Sequence, residues 1–180
     1  MNTIRNILIL AGLGCAVVIA ILLSVLTGPV DISLADILTG VVNDKTKELI
    51  LFDIRMPRAI AAALVGAGLA CAGAAMQTLF RNDLADPYTL GTSAGGAVGV
   101  SLAIISGVAM LVPVAAFCGA IGSAFLVYIL AAQKKRLSTG NLLLTGIAVS
   151  MFFSSVVSVC LVLSGKNMHQ IMFWLMGGLW

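Results

Sequence analysis

Arg55-Met56-Pro57-Arg58-Ala59-Ile60-Ala61-Ala62-Ala63-Leu64-Val65-Gly66-Ala67-Gly68-Leu69-Ala70-Cys71-Ala72-Gly73-Ala74-Ala75-Met76-Gln77-Thr78-Leu79-Phe80 is the stretch that sets the fold class. Two arginines bracket a proline at its start, and from Ala59 to Phe80 no residue is charged. At about 1.5 Å of rise per residue such a run crosses a hydrocarbon core about 30 Å thick. Charges are also absent from Asn6 to Val30, from Tyr88 to Gln133 and from Leu137 to Gly165, and they gather in the joints between these gaps. The whole chain is 61% hydrophobic and 9% charged, with a mean hydropathy of +1.14, whereas a soluble domain is about 25% charged. Lipid, not water, is its main solvent.

The pattern predicts an all-α, polytopic transmembrane bundle forming one domain over residues 1–180, with helices at about 7–26, 59–79, 93–106, 110–132 and 141–164. The first run exceeds the core of a cleaved signal peptide and lacks a clear A-x-A site, so it reads as a retained helix. Thr27 to Pro57 holds two prolines and most of the acidic residues and reads as a loop outside the hydrocarbon core, in which Ile32 to Leu38 is a candidate short surface helix. The segment 168–180, ending Phe173-Trp174-Leu175-Met176-Gly177-Gly178-Leu179-Trp180, is too short to span and reads as interfacial or re-entrant. Its lack of a polar tail suggests a truncated chain or a fragment. The cluster Lys134, Lys135 and Arg136 places that end of the bundle in the cytoplasm and, after five crossings, the N-terminus too.

Small residues recur at four-residue spacing at Ala62, Gly66, Ala70 and Ala74, and at Gly91, Gly95 and Gly99. In lipid such stripes let helix backbones approach closely, so both helices are expected to be buried in the bundle. The four cysteines, Cys15, Cys71, Cys118 and Cys160, share no CxxC spacing and read as small hydrophobes. The formal charge of +3 comes without a basic run of the kind nucleic acid requires.

Phosphate loops, HExxH, GxSxG and paired carboxylates in apolar runs are all absent from the sequence, which argues against an enzyme. An ion-coupled carrier is disfavoured because the predicted spans lack ionisable groups. His169 is the sole histidine and reads as an interfacial polar residue. Pro57 suits a first helical turn. The Arg55 and Arg58 pair beside it has two readings: snorkelling interface arginines, or guanidinium forks held ready for carboxylates of an incoming protein. The polar stretch from Gln77 to Gly96, and Leu137-Ser138-Thr139-Gly140-Asn141, are either plain connections or gates. In the first case Asp86-Pro87 makes a turn and Thr92 or Ser93 caps the next helix.

These strings, in order and spacing, resemble the FecCD family of ABC importer permeases for iron-siderophores, haem and cobalamin. The resemblance rests on Arg55 to Arg58 with the helix that follows, Arg81-Asn82-Asp83-Leu84-Ala85-Asp86-Pro87, Leu90-Gly91-Thr92-Ser93-Ala94-Gly95, Leu137 to Ala148 and Phe173 to Trp180. It implies half of a ten-helix permease subunit in the plasma (inner) membrane, with no cofactor of its own. Its partners would be a second permease subunit or half, cytoplasmic ATPase subunits that use the ATP, and an extracytoplasmic substrate-binding protein. By position Arg55 and Arg58 would dock that protein. Asn82, Leu84, Thr139 and Gly140 would belong to cytoplasmic gating loops. Asp83 stands where the family pattern usually has proline, and Gly140 where it often has a hydroxyl residue. The alternative is a truncated, non-transporting membrane protein acting as an assembly or regulatory partner.

Overall fold

A computed structural model describes residues 2–30, 33, 45–83, 85–132 and 138–178. Among them the regular structure is entirely helical: α1 (Asn2–Leu26), α2 (Lys45–Leu49), a π-helical segment (Ile50–Arg55), α3 (Met56–Phe80), α4 (Thr92–Ile105), α5 (Val112–Ala132), α6 (Thr139–Leu163) and α7 (Met168–Leu175). Short 3-10 turns lie at Pro87–Leu90, Ala109–Leu111 and Gly165–Asn167. The all-α expectation holds. Apart from Ser33, the candidate surface helix at 32–38 lies outside the described residues, as do the basic cluster Lys134 to Arg136 and Trp180.

Among the described residues four helices are long and apolar enough to cross a membrane: Thr3–Leu26, the continuous Lys45–Phe80, Val112–Ala132 and Thr139–Leu163. With Leu8 66%, Leu64 68%, Phe125 63%, Leu144 68% and Val162 82% exposed, their surfaces are suited to lipid rather than to water. The remaining apolar helix, α4, has 14 residues and is about 21 Å long, shorter than the hydrocarbon core. Protein covers much of it: Gly95, Val100, Ser101, Ala103 and Ile104 are all buried.

The sequence-based loop is corrected at its C-terminal end, since residues 45–57 are helical and run without a break into α3. Pro57 explains both the misreading and the geometry. Proline inside an α-helix removes one hydrogen bond and crowds the carbonyl four residues back, here that of Asp53. The chain widens by one residue per turn instead. The Met56 amide reaches the Leu51 carbonyl, a five-residue step, and π segments of this kind commonly absorb such conflicts.

The chain divides into two compact units, one up to Gly68 and one from Leu69 to Gly178, with the boundary inside α3. In the first unit Val25, Leu51 and Ala59 are buried, with Ile21, Ile50 and Met56 packed on them. In the second, α4 packs on α5 and α6. Val100, Ala103, Ile104, Val112 and Ile171 form its core. The C-terminal segment expected at the interface is therefore anchored through Ile171, which is 0% exposed.

The two small-residue stripes behave differently. A Cβ on Gly99 would meet the carbonyl oxygen of Ala115 and lie 2.7 Å from its carbon, and one on Gly119 would meet the carbonyl oxygen of Gly95. Helices α4 and α5 thus touch backbone to backbone, as small residues permit in lipid. By contrast Ala62, Gly66 and Ala70 are exposed. The burial expected for that stripe is not provided within either unit.

Candidate functional site

The first candidate feature is the arginine pair, and the structure separates its members. Arg55 ends the π segment and is 8% exposed. Its Nη1 donates to the carbonyls of Val25 at 2.9 Å and Leu26 at 3.2 Å, and its Nη2 donates to that of Val30 at 2.6 Å. These carbonyls are at or just past the end of α1, where intrahelical amides have run out and the helix dipole favours a cation. Arg58, on the first turn of α3, is exposed. The wider π turn and the helix end beside it hold Arg55 inward, while Arg58 is left facing out.

Loop residues 81–91 form the second feature. Helix α3 closes with Arg81 at φ 48, the sole non-glycine at positive φ among the described residues. The Asn82 amide reaches the Gln77 carbonyl at 3.2 Å and the Arg81 amide that of Thr78 at 3.3 Å. This is a Schellman cap with arginine where glycine is usual. Helix α4 ends in the same cap with Gly107 at φ 75. Asn82 and Asp83 are exposed, and the Gln77 side-chain amide donates to the Asp83 carbonyl at 3.0 Å. Leu84 lies outside the described residues. Asp86 caps the following 3-10 turn, accepting from the Tyr88 amide at 2.8 Å.

Neither Thr92 nor Ser93 caps α4. Gly91 occupies that position at φ 75, and the Thr92 hydroxyl donates back to the Pro87 carbonyl at 3.1 Å. The Gly91 carbonyl accepts the Gly95 amide at 2.9 Å and the hydroxyl of Ser123 at 2.7 Å. Ser123 is 1% exposed. In α6, a Cβ on Gly146 would meet the Thr89 carbonyl oxygen, so the turn lies directly on that helix. Gly91 and Gly95 thus belong to a buried polar node that sequence spacing placed only as packing.

Thr139 and Gly140 form the exposed first turn of α6, capped by the Ser138 hydroxyl accepting the Asn141 amide at 3.2 Å. Among the described residues a Cβ at Gly140 would meet only that hydroxyl, at 3.8 Å. A side chain fits there.

A stripe of serines on α6 was missed from the sequence, although Ser150, Ser154 and Ser158 recur at four-residue spacing. The hydroxyls of Ser150, Ser155 and Ser158 donate to the carbonyls of Gly146, Met151 and Ser154 at 2.8, 3.0 and 3.0 Å. Their hydrogens are used within the helix, which leaves lone pairs facing outward. A cavity of about 610 Å³ includes Asp86, Tyr88, Thr89, Ser150 and Ser154 in its lining. A second, of about 390 Å³, shares Tyr88, Ser150 and Ser154 and adds Ser93 and Leu175. The combined wall offers hydroxyls and apolar carbon, with one carboxylate at Asp86. Its hydroxyl oxygens can accept hydrogen bonds, and its carboxylate can pair with a cation. Among the described residues no group of three or more His, Cys, Asp or Glu side chains is placed to hold a metal ion.

Comparison with known proteins joins these features. The chain is 44% identical over 137 residues to the cobalamin import system permease protein BtuC of Halobacterium salinarum, covering 75% of this chain and 37% of the relative. It is 37% identical over 177 residues to the vitamin B12 import system permease protein BtuC of Shigella boydii, covering 97% of this chain and 53% of the relative. A solved structure described as an inward-facing, metal-chelate type ABC transporter matches with a TM-score of 0.80 at 31% identity, over 95% of this chain and 53% of that one. The chain therefore spans about half the length, or less, of the relatives it matches. The profile of the FecCD transport family covers residues 16–180, and this multi-pass membrane chain belongs to that family.

Proposed function

We propose that this chain is the N-terminal part of the membrane-spanning permease of a binding-protein-dependent ABC importer, and that its cargo is a corrinoid or ferric chelate. The observation that carries the reading is the family match over residues 16–180. The names of the relatives favour a corrinoid over a siderophore or haem. Transport would need the partner half or subunit, ATPase subunits that hydrolyse the ATP, and a binding protein. The chain itself supplies no catalytic group. No observation favours the alternative of a non-transporting regulatory partner.

In this reading the N-terminus is cytoplasmic and Arg58 lies on the outer face, where its guanidinium takes carboxylates of the binding protein. Asn82, Leu84, Thr139 and Gly140 lie at the opposite face and gate the exit. Alternating access passes cargo along a wall of small, apolar and hydroxyl residues, in which the serines of α6 grip it too weakly to trap it. A transporter site must bind and release within each cycle, and neutral hydroxyls satisfy that better than buried charges.

The test is uptake by full-length permease in cells lacking their own corrinoid and siderophore permeases. Labelled cyanocobalamin should accumulate, and R58E should abolish accumulation while leaving membrane insertion intact. Failure to import either cyanocobalamin or a ferric hydroxamate, with partner subunits and binding protein present, would reject the reading.

A further inference from the structure

We propose that Arg55 is a positioning residue: its guanidinium ties the end of α1 to the π segment, and so fixes where Arg58, three residues on, presents its charge. This rests on the docking reading of Arg58 given above. Arg55 donates to three carbonyls, those of Val25, Leu26 and Val30, from a site only 8% exposed. The planar fork spans carbonyls on α1 and one beyond it, a geometry that a lysine ammonium does not reproduce. Gly28 completes the seat. A Cβ there would fall on Nη2 and lie 2.7 Å from Cζ of Arg55.

In the same unit Val25, Leu51 and Ala59 pack together with 5%, 1% and 4% exposure. Leu51 also holds the π turn, because its carbonyl accepts the Met56 amide. The same few residues therefore secure the helix end, the widened turn and the start of α3. Arg58 follows directly. A docking carboxylate could engage Arg55 only after breaking three charge-assisted hydrogen bonds, whereas Arg58 is free to reach one from its exposed turn.

Full-length permease in lipid nanodiscs, titrated with its binding protein across a range of salt, separates the two roles. R58Q should weaken docking about tenfold, equivalent to about 1.4 kcal/mol, and flatten the dependence of log Kd on log salt, since it removes a screened ion pair. R55Q should weaken docking severalfold while leaving that slope unchanged, and R55K should restore only part of the loss. In the unaltered protein an arginine-selective dicarbonyl reagent, followed by mass spectrometry, should modify Arg58 at least tenfold faster than Arg55. G28A should raise the Arg55 rate. Equal modification of both arginines, or an R55Q slope as flat as that of R58Q, would overturn the proposal. If R55Q does not assemble, modification of the unaltered protein still decides it. An R58Q permease with unchanged affinity and slope would overturn the docking reading and the positioning role with it, even with Arg55 protected from the reagent.

Discussion

Replacing Gly119 with alanine puts one methyl group into the contact between α4 and α5. That carbon would overlap the Gly95 carbonyl oxygen and lie 3.1 Å from its carbon and 3.3 Å from the Gly99 amide nitrogen. All three are backbone atoms, so no rotamer change relieves them. Non-bonded carbons settle at about 3.5–4.0 Å, and the helices must part by on the order of 1 Å. Overpacking of this kind costs about 1–3 kcal/mol, against a gain of about 1 kcal/mol from replacing glycine inside a helix. Gly122 on the same helix supplies the control, since no heavy atom among the described residues lies within 4 Å of a Cβ there.

G122A should therefore take the gain alone, and the two variants should differ by about 1–3 kcal/mol. At about 2–4 °C per kcal/mol for a chain of this size, G119A should melt about 2–12 °C below G122A. Thermal unfolding in detergent, followed by helical circular dichroism, reads the difference. A G119A protein that melts at or above G122A would refute the backbone contact.

Other substitutions probe the remaining features by the same melt. S123A removes the hydroxyl that donates to the Gly91 carbonyl; because that carbonyl keeps the Gly95 amide, the loss should be about 0.5–1.5 kcal/mol. R81G relieves a non-glycine φ of 48 and should stabilise by about 0.5–1 kcal/mol, the strain relief being partly offset by a freer unfolded chain. A destabilised R81G would mean the arginine side chain holds the cap. G140S places a hydroxyl where, among the described residues, a Cβ meets only Ser138 Oγ at 3.8 Å, and should stay within about 0.5 kcal/mol of the parent.

Much of the fold was legible because lipid imposes one strong rule, that long uncharged stretches become helices. That rule found α1, α3, α5 and α6 to within a few residues, apart from an earlier start to α1. It failed at 45–57, where charges and Pro57 imitate a loop while the chain keeps its helix by changing hydrogen-bond step. The stripe at Gly95 and Gly99 lies against the backbone of α5, a contact of the kind that leaves a periodic signature. The stripe at Ala62 and Gly66 has the same signature and no cover within its unit, since periodicity identifies a contact surface but not what fills it.

Arg55 and Arg58 look equivalent in sequence. What distinguishes them is a helix end 25 to 30 residues earlier in the chain, which local spacing does not reveal. The serines of α6 were overlooked for a related reason. A hydroxyl bonded back to its own helix resembles any tolerated polar residue until its neighbours are known.

Because Gly99 and Gly119 bring α4 and α5 into backbone contact, neither helix can slip past the other in small increments. Each intermediate position would drive a carbonyl or a side chain into the opposing chain. The pair is therefore braced as one stiff beam, and any rearrangement has to be absorbed at an end of α4. There Gly107, at φ 75 and with no heavy atom among the described residues within 4 Å of a Cβ, supplies the torsional freedom that the rest of the helix lacks, whereas Gly91 at the other end is held by the amide of Gly95 and the hydroxyl of Ser123.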